Sequence, residues 1–260
     1  MSKVGRCALC LKEGTELQDS HYLPAGVYRV IRDESAPDGN PNPILLGEET
    51  ASQSSKQITD YLLCRDCECR LSRNGENYFL RVCWRRNGFR LHAILDAAPP
   101  SLVVGKLKIY AADRFPAIDV GVISYFAASM FWRGSVHHWK HPDAQIQLGP
   151  YEEQFRSYLM QPTDFPRDCA LWVSVPDKIT PFTGSSFVPY GGRSNGFWTY
   201  TLFILGVGFQ LFVGNRVSKA HREPCFVRGK GHPIVKTDLQ EQAILNAVLA
   251  KFRRHPGLLR

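Results

Sequence analysis

Two cysteine pairs of identical spacing, Cys7-Ala-Leu-Cys10 and Cys64-Arg-Asp-Cys67, constrain this chain more than any other feature. Two thiolates held two residues apart on a tight turn converge on one tetrahedral metal, and a second such pair supplies the other two ligands. The spacing therefore predicts a Zn²⁺ ion bound by Cys7, Cys10, Cys64 and Cys67. Four thiolates close the coordination sphere, so this metal is expected to hold the fold and do no chemistry. Cys69, Cys83, Cys169 and Cys225 are scattered singly and read as ordinary thiols. In a reducing compartment, Cys-x-x-Cys pairs are metal sites more often than disulfides.

At 260 residues with 44% apolar side chains, the chain is long enough to bury a substantial core. Its first third is polar and cysteine-rich, and from about Val103 it turns apolar and aromatic. That change suggests a zinc-binding domain over residues 1–95 and an α+β domain over 96–260. The opening residues lack the apolar core of a signal peptide. The longest apolar stretch, Trp198 to Val213, is short for a bilayer and broken by Gly206, Gly208 and Gln210. A cytoplasmic protein with no membrane association is the expectation.

The formal charge is +8, and four thiolates plus one zinc lower it to about +6. Much of the surplus lies between Asn215 and Arg260, where ten Lys or Arg face Glu223, Asp238 and Glu241. A basic surface of this kind suits a polyanion such as nucleic acid, or simply keeps a protein soluble.

Hydrophobic periodicity and turn residues give a coarse map. After the first knuckle, a hairpin turning near Glu13-Gly14 should return through Leu17 to Pro24, placing His21 on its second strand. Residues 32–56 hold Pro37-Asp-Gly-Asn-Pro-Asn-Pro43 and should form a long exposed loop. A helix is expected from Cys67 to Phe79. Farther on, Ala117 to Trp132 reads as a helix buried on most sides, and Tyr151 to Leu159 as an amphipathic one. Cys169 to Val175 and Phe182 to Val188 read as strands, and Phe197 to Ile204 with Val207 to Val213 as a hairpin turning at Leu205-Gly206. Thr237-Asp-Leu-Gln240 should cap a final helix. The second domain is thus expected to set helices against a small antiparallel sheet.

The N-terminal segment resembles the zinc-containing HNH, or ββα-metal, nucleases, a treble-clef-like finger. The likeness rests on Cys7-x-x-Cys10, Ser20-His21-Tyr22-Leu23-Pro24 and Leu63-Cys64-x-x-Cys67-Glu68, and covers about residues 5–80. In such nucleases the strand histidine is the general base, and a preceding ligand and a helix residue hold a catalytic divalent ion. The resemblance thus implies His21 as base, with Glu68, and Glu76 beyond it, as candidates for Mg²⁺ or Mn²⁺. The usual ligand position before the histidine holds Ser20. Asp19, one residue earlier, alternates to the other strand face and replaces it only if the strand bulges. The same residues could instead form a hydrogen-bonded brace within a non-catalytic module for nucleic acid or a protein partner. The whole layout also looks like uncharacterised bacterial proteins of defence or toxin loci, which implies an effector acting on nucleic acid, with a protein inhibitor among its partners.

In the second domain, Ser129 and Arg133 lie one helical turn apart, so a buried helix would carry a hydroxyl and a guanidinium on one face. A buried arginine needs an acidic partner or a bound anion, and Glu152 or Glu153 is the nearest in sequence. His137-His138-Trp-Lys-His141, with Asp143 beyond, is a weak metal or phosphate cluster, and Tyr190-Gly-Gly-Arg193 reads as a turn before it reads as a phosphate site. No Walker loop, dinucleotide fingerprint or serine elbow is present.

Overall fold

The computed structural model describes residues 3–32, 42, 44–46, 51–53, 56–85, 88–139, 146–194 and 196–238. Its first strand, β1 (Lys3–Gly5), runs into the Cys7–Cys10 turn and pairs antiparallel with β2 (Thr15–His21). The expected hairpin is present, with Gly14 at positive φ. A short helix α1 (Ala25–Ile31) follows Pro24. Within 32–56, expected as loop, β3 (Ile44–Leu46) and β4 (Ala51–Gln53) pair with each other, and most of the rest lies outside the described residues. β5 (Thr59–Cys64) then completes a three-stranded sheet in the order β1-β2-β5.

The helical arm after β5 begins earlier than expected and is not regular. α2 (Arg65–Leu71) passes through a π-turn over Ser72–Glu76 into α3 (Asn77–Cys83). Gly75 explains the detour: a Cβ there would lie 3.1 Å from the Phe126 backbone and 3.2 Å from the Tyr125 ring. Only a glycine lets the arm come this close to its neighbour. A two-residue hairpin of β6 (Trp84–Arg85) and β7 (Gly88–Phe89) leads to α4 (Arg90–Asp96).

The second part of the chain supplies β8 (Leu102–Val104), β9 (Leu107–Ala111) and the long helix α5 (Val120–Val136), capped by Asp119, whose carboxylate accepts from Val122 N–H at 3.0 Å. α5 is buried from Ile123 to Gly134, as its unbroken apolar run requires. α6 (Glu152–Met160) packs beside it, with Phe155, Tyr158 and Leu159 inward. β10 (Cys169–Pro176), β11 (Ser186–Ser194), β12 (Phe197–Ile204) and β13 (Val207–Val213) follow, then the short α7 (Lys219–Arg222) and β14 (Pro233–Thr237). The strand expected at Phe182 starts instead at Ser186, after a 3-10 turn at Pro181–Gly184. The β12–β13 hairpin turns at Leu205 (φ 47°) and Gly206 (φ 82°), both left-handed, as a two-residue loop matched to strand twist requires.

The sheet is larger than expected. Seven strands run in the order β11-β12-β13-β10-β14-β9-β8, antiparallel at every pairing except β10 with β14. The fold is mixed α and β, and its core is shared: Leu9, Tyr22 and Phe79 belong to the same buried cluster as Phe126, Leu171 and Phe209. Phe79 stacks on Phe126 at 3.8 Å, so the helical arm is seated directly on α5. The expected C-terminal helix lies outside the described residues. No helix among the described residues is long and apolar enough to cross a membrane.

Candidate metal centre and the cluster beside it

The sulfurs of Cys7, Cys10, Cys64 and Cys67 all lie within 4.8 Å of one another. Cys10 and Cys64 are 3.8 Å apart, and all four are free thiols. Ligands at about 2.3 Å from a tetrahedral zinc stand about 3.8 Å from each other, so the sulfurs are placed to hold a metal ion such as zinc.

Local backbone chemistry sets this geometry. The first knuckle closes through Cys7 N–H to Lys12 O (3.0 Å) and Leu11 N–H to Cys7 O (2.9 Å). A one-residue bulge in β5 then joins the two knuckles. Gln18 pairs with Leu63 but Asp19 with Tyr61, which leaves Leu62 outside the ladder, and its carbonyl accepts the Ala8 N–H at 3.1 Å. Cys64 N–H points at Cys7 Sγ from 3.3 Å. Cys67 sits in the first turn of α2, where the helix dipole favours thiolate. The hydrogen bond with Cys67 drives the Cys7 thiol well below its ordinary range, and the same contact pushes Cys67 up. A cleft over Cys10, Cys64 and Cys67 is lined by Lys12, Arg65 and Arg70. These cations offset the negative charge that four thiolates keep around one divalent metal. Arg156 fastens the knuckle from the other side, donating to Leu9 O at 2.8 Å.

Beside this centre the structure gathers most of the other residues singled out above. Arg133 is 1% exposed. Its Nη2 lies 2.8 Å from Glu76 Oε1 and 3.9 Å from Glu68 Oε2, and its Nη1 donates to His21 O at 3.2 Å. The expected pairing of Arg133 with Glu152 or Glu153 is therefore corrected. Glu152 accepts from Ser135 at 2.6 Å, and Glu153 is spent on Arg156 at 2.6 Å, so neither is available to the buried guanidinium. The π-turn has a part in this. Eight residues of regular α-helix would set Glu68 and Glu76 about 80° apart around the axis, and a wider turn brings the second back towards the first.

Ser129 is drawn elsewhere, its hydroxyl donating to Phe126 O at 2.7 Å within its own helix. Ser20 is buried, accepts Leu63 N–H at 3.2 Å and fills the bulge. Because the bulge is in β5, β2 keeps its alternation and Asp19 stays exposed on the other face. His21 is half-buried. Among the described residues its imidazole makes a ring contact with Tyr28 at 6.2 Å and no hydrogen bond. Glu68 Oε1 and Arg133 Nε are buried without a hydrogen-bond partner among the described residues.

Of the histidine run, His137 pairs with Asp60 at 3.2 Å, and His141 and Asp143 lie outside the described residues. Asp60 is a residue that sequence reasoning missed. Its place on β5, opposite Ser20, is set by the strand pairing and by no motif. No protein-family model, curated protein or solved structure matches this chain.

Proposed function

We propose that this chain is an HNH-like finger protein, ordered by zinc, that binds nucleic acid without cutting it. One observation carries the reading: Glu68 and Glu76, the two carboxylates put forward for Mg²⁺ or Mn²⁺, both turn onto the buried guanidinium of Arg133. A second divalent ion there would face a fixed cation that has no route to water, and removing either charge from such a pair is costly. Ser20, in the usual ligand position, spends its hydroxyl on the β5 bulge. What is left is a rigid finger on a chain of formal charge +8. Attraction to phosphate backbones follows from that charge, and counterion release makes it salt-dependent.

Metal-dependent cleavage is the second reading, and His21 favours it, because its half-buried imidazole is not engaged in a hydrogen bond. A general base needs that freedom.

The test is binding of labelled DNA and RNA duplexes and single strands across a salt series, alongside incubation with Mg²⁺ or Mn²⁺. The expected outcome is affinity that falls linearly with salt on logarithmic axes, intact nucleic acid, and unchanged binding in His21→Ala. Cleavage that requires the divalent ion and disappears in His21→Ala, at undiminished zinc content, would establish the second reading instead. Failure to bind any of the four probes would turn attention to a protein partner.

A further inference from the structure

Four of the eight exposed large apolar residues on the described surface stand together. Leu102 (55%), Val103 (57%), Val104 (53%) and Leu107 (37%) all belong to the β8–β9 hairpin. β8 is also the last strand of the seven-stranded sheet. An apolar edge of this kind is usually covered, because it offers both hydrophobic surface and free backbone groups to any passing chain.

The strand register identifies what lies nearby. Lys236 on β14 pairs with Lys108 on β9, and Lys108 with Val103. Thr237 and Asp238 therefore leave the sheet level with Leu107 and Val104, two strand spacings or about 10 Å from the edge. Ile179, 56% exposed, is at the same end, since Pro176 pairs with Thr237. The described chain stops at Asp238, and 22 residues follow. Their first ten place Leu239, Ala243, Ile244, Ala247 and Val248 at helical spacing. Ten residues at 1.5 Å each span about 15 Å, enough to cross β9 and reach β8.

We propose that the apolar β8–β9 edge is the docking surface for the chain's own segment 239–248. The apolar positions of that segment supply the missing cover for Leu102, Val103, Val104 and Leu107. A second copy joined edge to edge fits less well, because a three-residue strand offers little of the roughly 1,200 Å² that a stable interface buries.

Hydrogen exchange on the full chain tests this, comparing the parent with Val103→Asp, Ile244→Asp and the double variant. Zinc content and the protection of α5 amides report that the fold is kept. Docking predicts that Ile244→Asp speeds exchange at residues 102–107 by about tenfold and raises the fluorescence of a dye that binds apolar surface. The double variant should exchange no faster than either single one, since both break the same contact. Unchanged exchange and dye binding in Ile244→Asp would overturn the proposal. So would a concentration-dependent dimer of the parent chain that Val103→Asp dissociates and Ile244→Asp does not.

Discussion

Arg133 Nη2 lies 2.8 Å from Glu76 Oε1, joining the inner end of α5 to the far end of the finger's helical arm. The same guanidinium holds the carbonyl of His21, the last residue of β2. One side chain thus fastens both the strand and the helix of the finger to the larger sheet-bearing part. A charge that is 1% exposed has surrendered its hydration, so its partners determine whether it stabilises or disrupts.

Removing Arg133 should therefore cost more than removing an ordinary buried side chain, because Glu76 is left without compensation. Arg133→Ala is expected to lower unfolding stability by about 3–5 kcal/mol. Glu76→Gln in the same background should recover part of the loss, since it removes the charge left behind. Urea unfolding of the two single variants and the double one checks this, and strictly additive losses would contradict it.

A second close fit lies at the other side of Arg133. A Cβ on Gly134 would overlap the Tyr22 hydroxyl and come within 3.3 Å of Ile146 Cγ1. Tyr22 is fully buried, stacked on Trp139 at 4.8 Å, and its hydroxyl has no partner among the described residues. Gly134→Ala should cost about 1–3 kcal/mol by overpacking. Tyr22→Phe should raise stability by about 1 kcal/mol by deleting an unpaired polar group. Combining them should cancel most of the Gly134→Ala loss, as read from thermal unfolding of the three proteins.

These contacts mark where the sequence stopped being informative. The two Cys-x-x-Cys pairs, the His21 hairpin, the buried helix and the Leu205-Gly206 turn were legible because each is written in local spacing. Arg133 was also legible as a buried cation, but its partners were not. Glu152 and Glu153 are near in sequence yet already bonded to Ser135 and Arg156. Glu68 and Glu76 become partners only after the π-turn and the shared core bring the arm onto α5. β8, β9 and β14 were missed because three to five residues carry little periodicity, and β14 enters the sheet by a parallel pairing that no hairpin announces. The β5 bulge was invisible too, since Leu62 differs from its neighbours only in how it pairs.

Metal removal should separate the finger from the rest. With the four sulfurs released, the β1-β2-β5 sheet loses the tie between its two knuckles, and binding free energy becomes folding free energy. One zinc per chain is expected on elemental analysis. A strong chelator, or Cys64→Ser, should expose the amides of β2 and β5 to exchange before those of β10 and β13. Because the ligands must be thiolates, the metal should be lost as pH falls. Simultaneous loss of protection in both sheets would mean that the metal orders the whole molecule.

High pH attacks the other end of the structure. Burial pushes Tyr125, Tyr158 and Tyr200 up to about 12 from an ordinary 10.0, and pushes Tyr22 well above it. In the folded chain these phenols keep protons that the unfolded chain gives up near pH 10. Their contribution is thus complete below pH 10 and is lost as pH rises towards 12. At roughly 1.4 kcal/mol per unit, each group costs about 2–3 kcal/mol by pH 12. Three such groups rival the 5–15 kcal/mol that a folded domain has in reserve. The fold should therefore collapse cooperatively between pH 10 and 12, with tyrosinate absorbance and loss of helix signal rising together. Tyr158→Phe should move that midpoint upward. Smooth titration of these tyrosines near pH 10, with secondary structure intact, would show that their rings reach water and that the packing around α5 and α6 is looser than described.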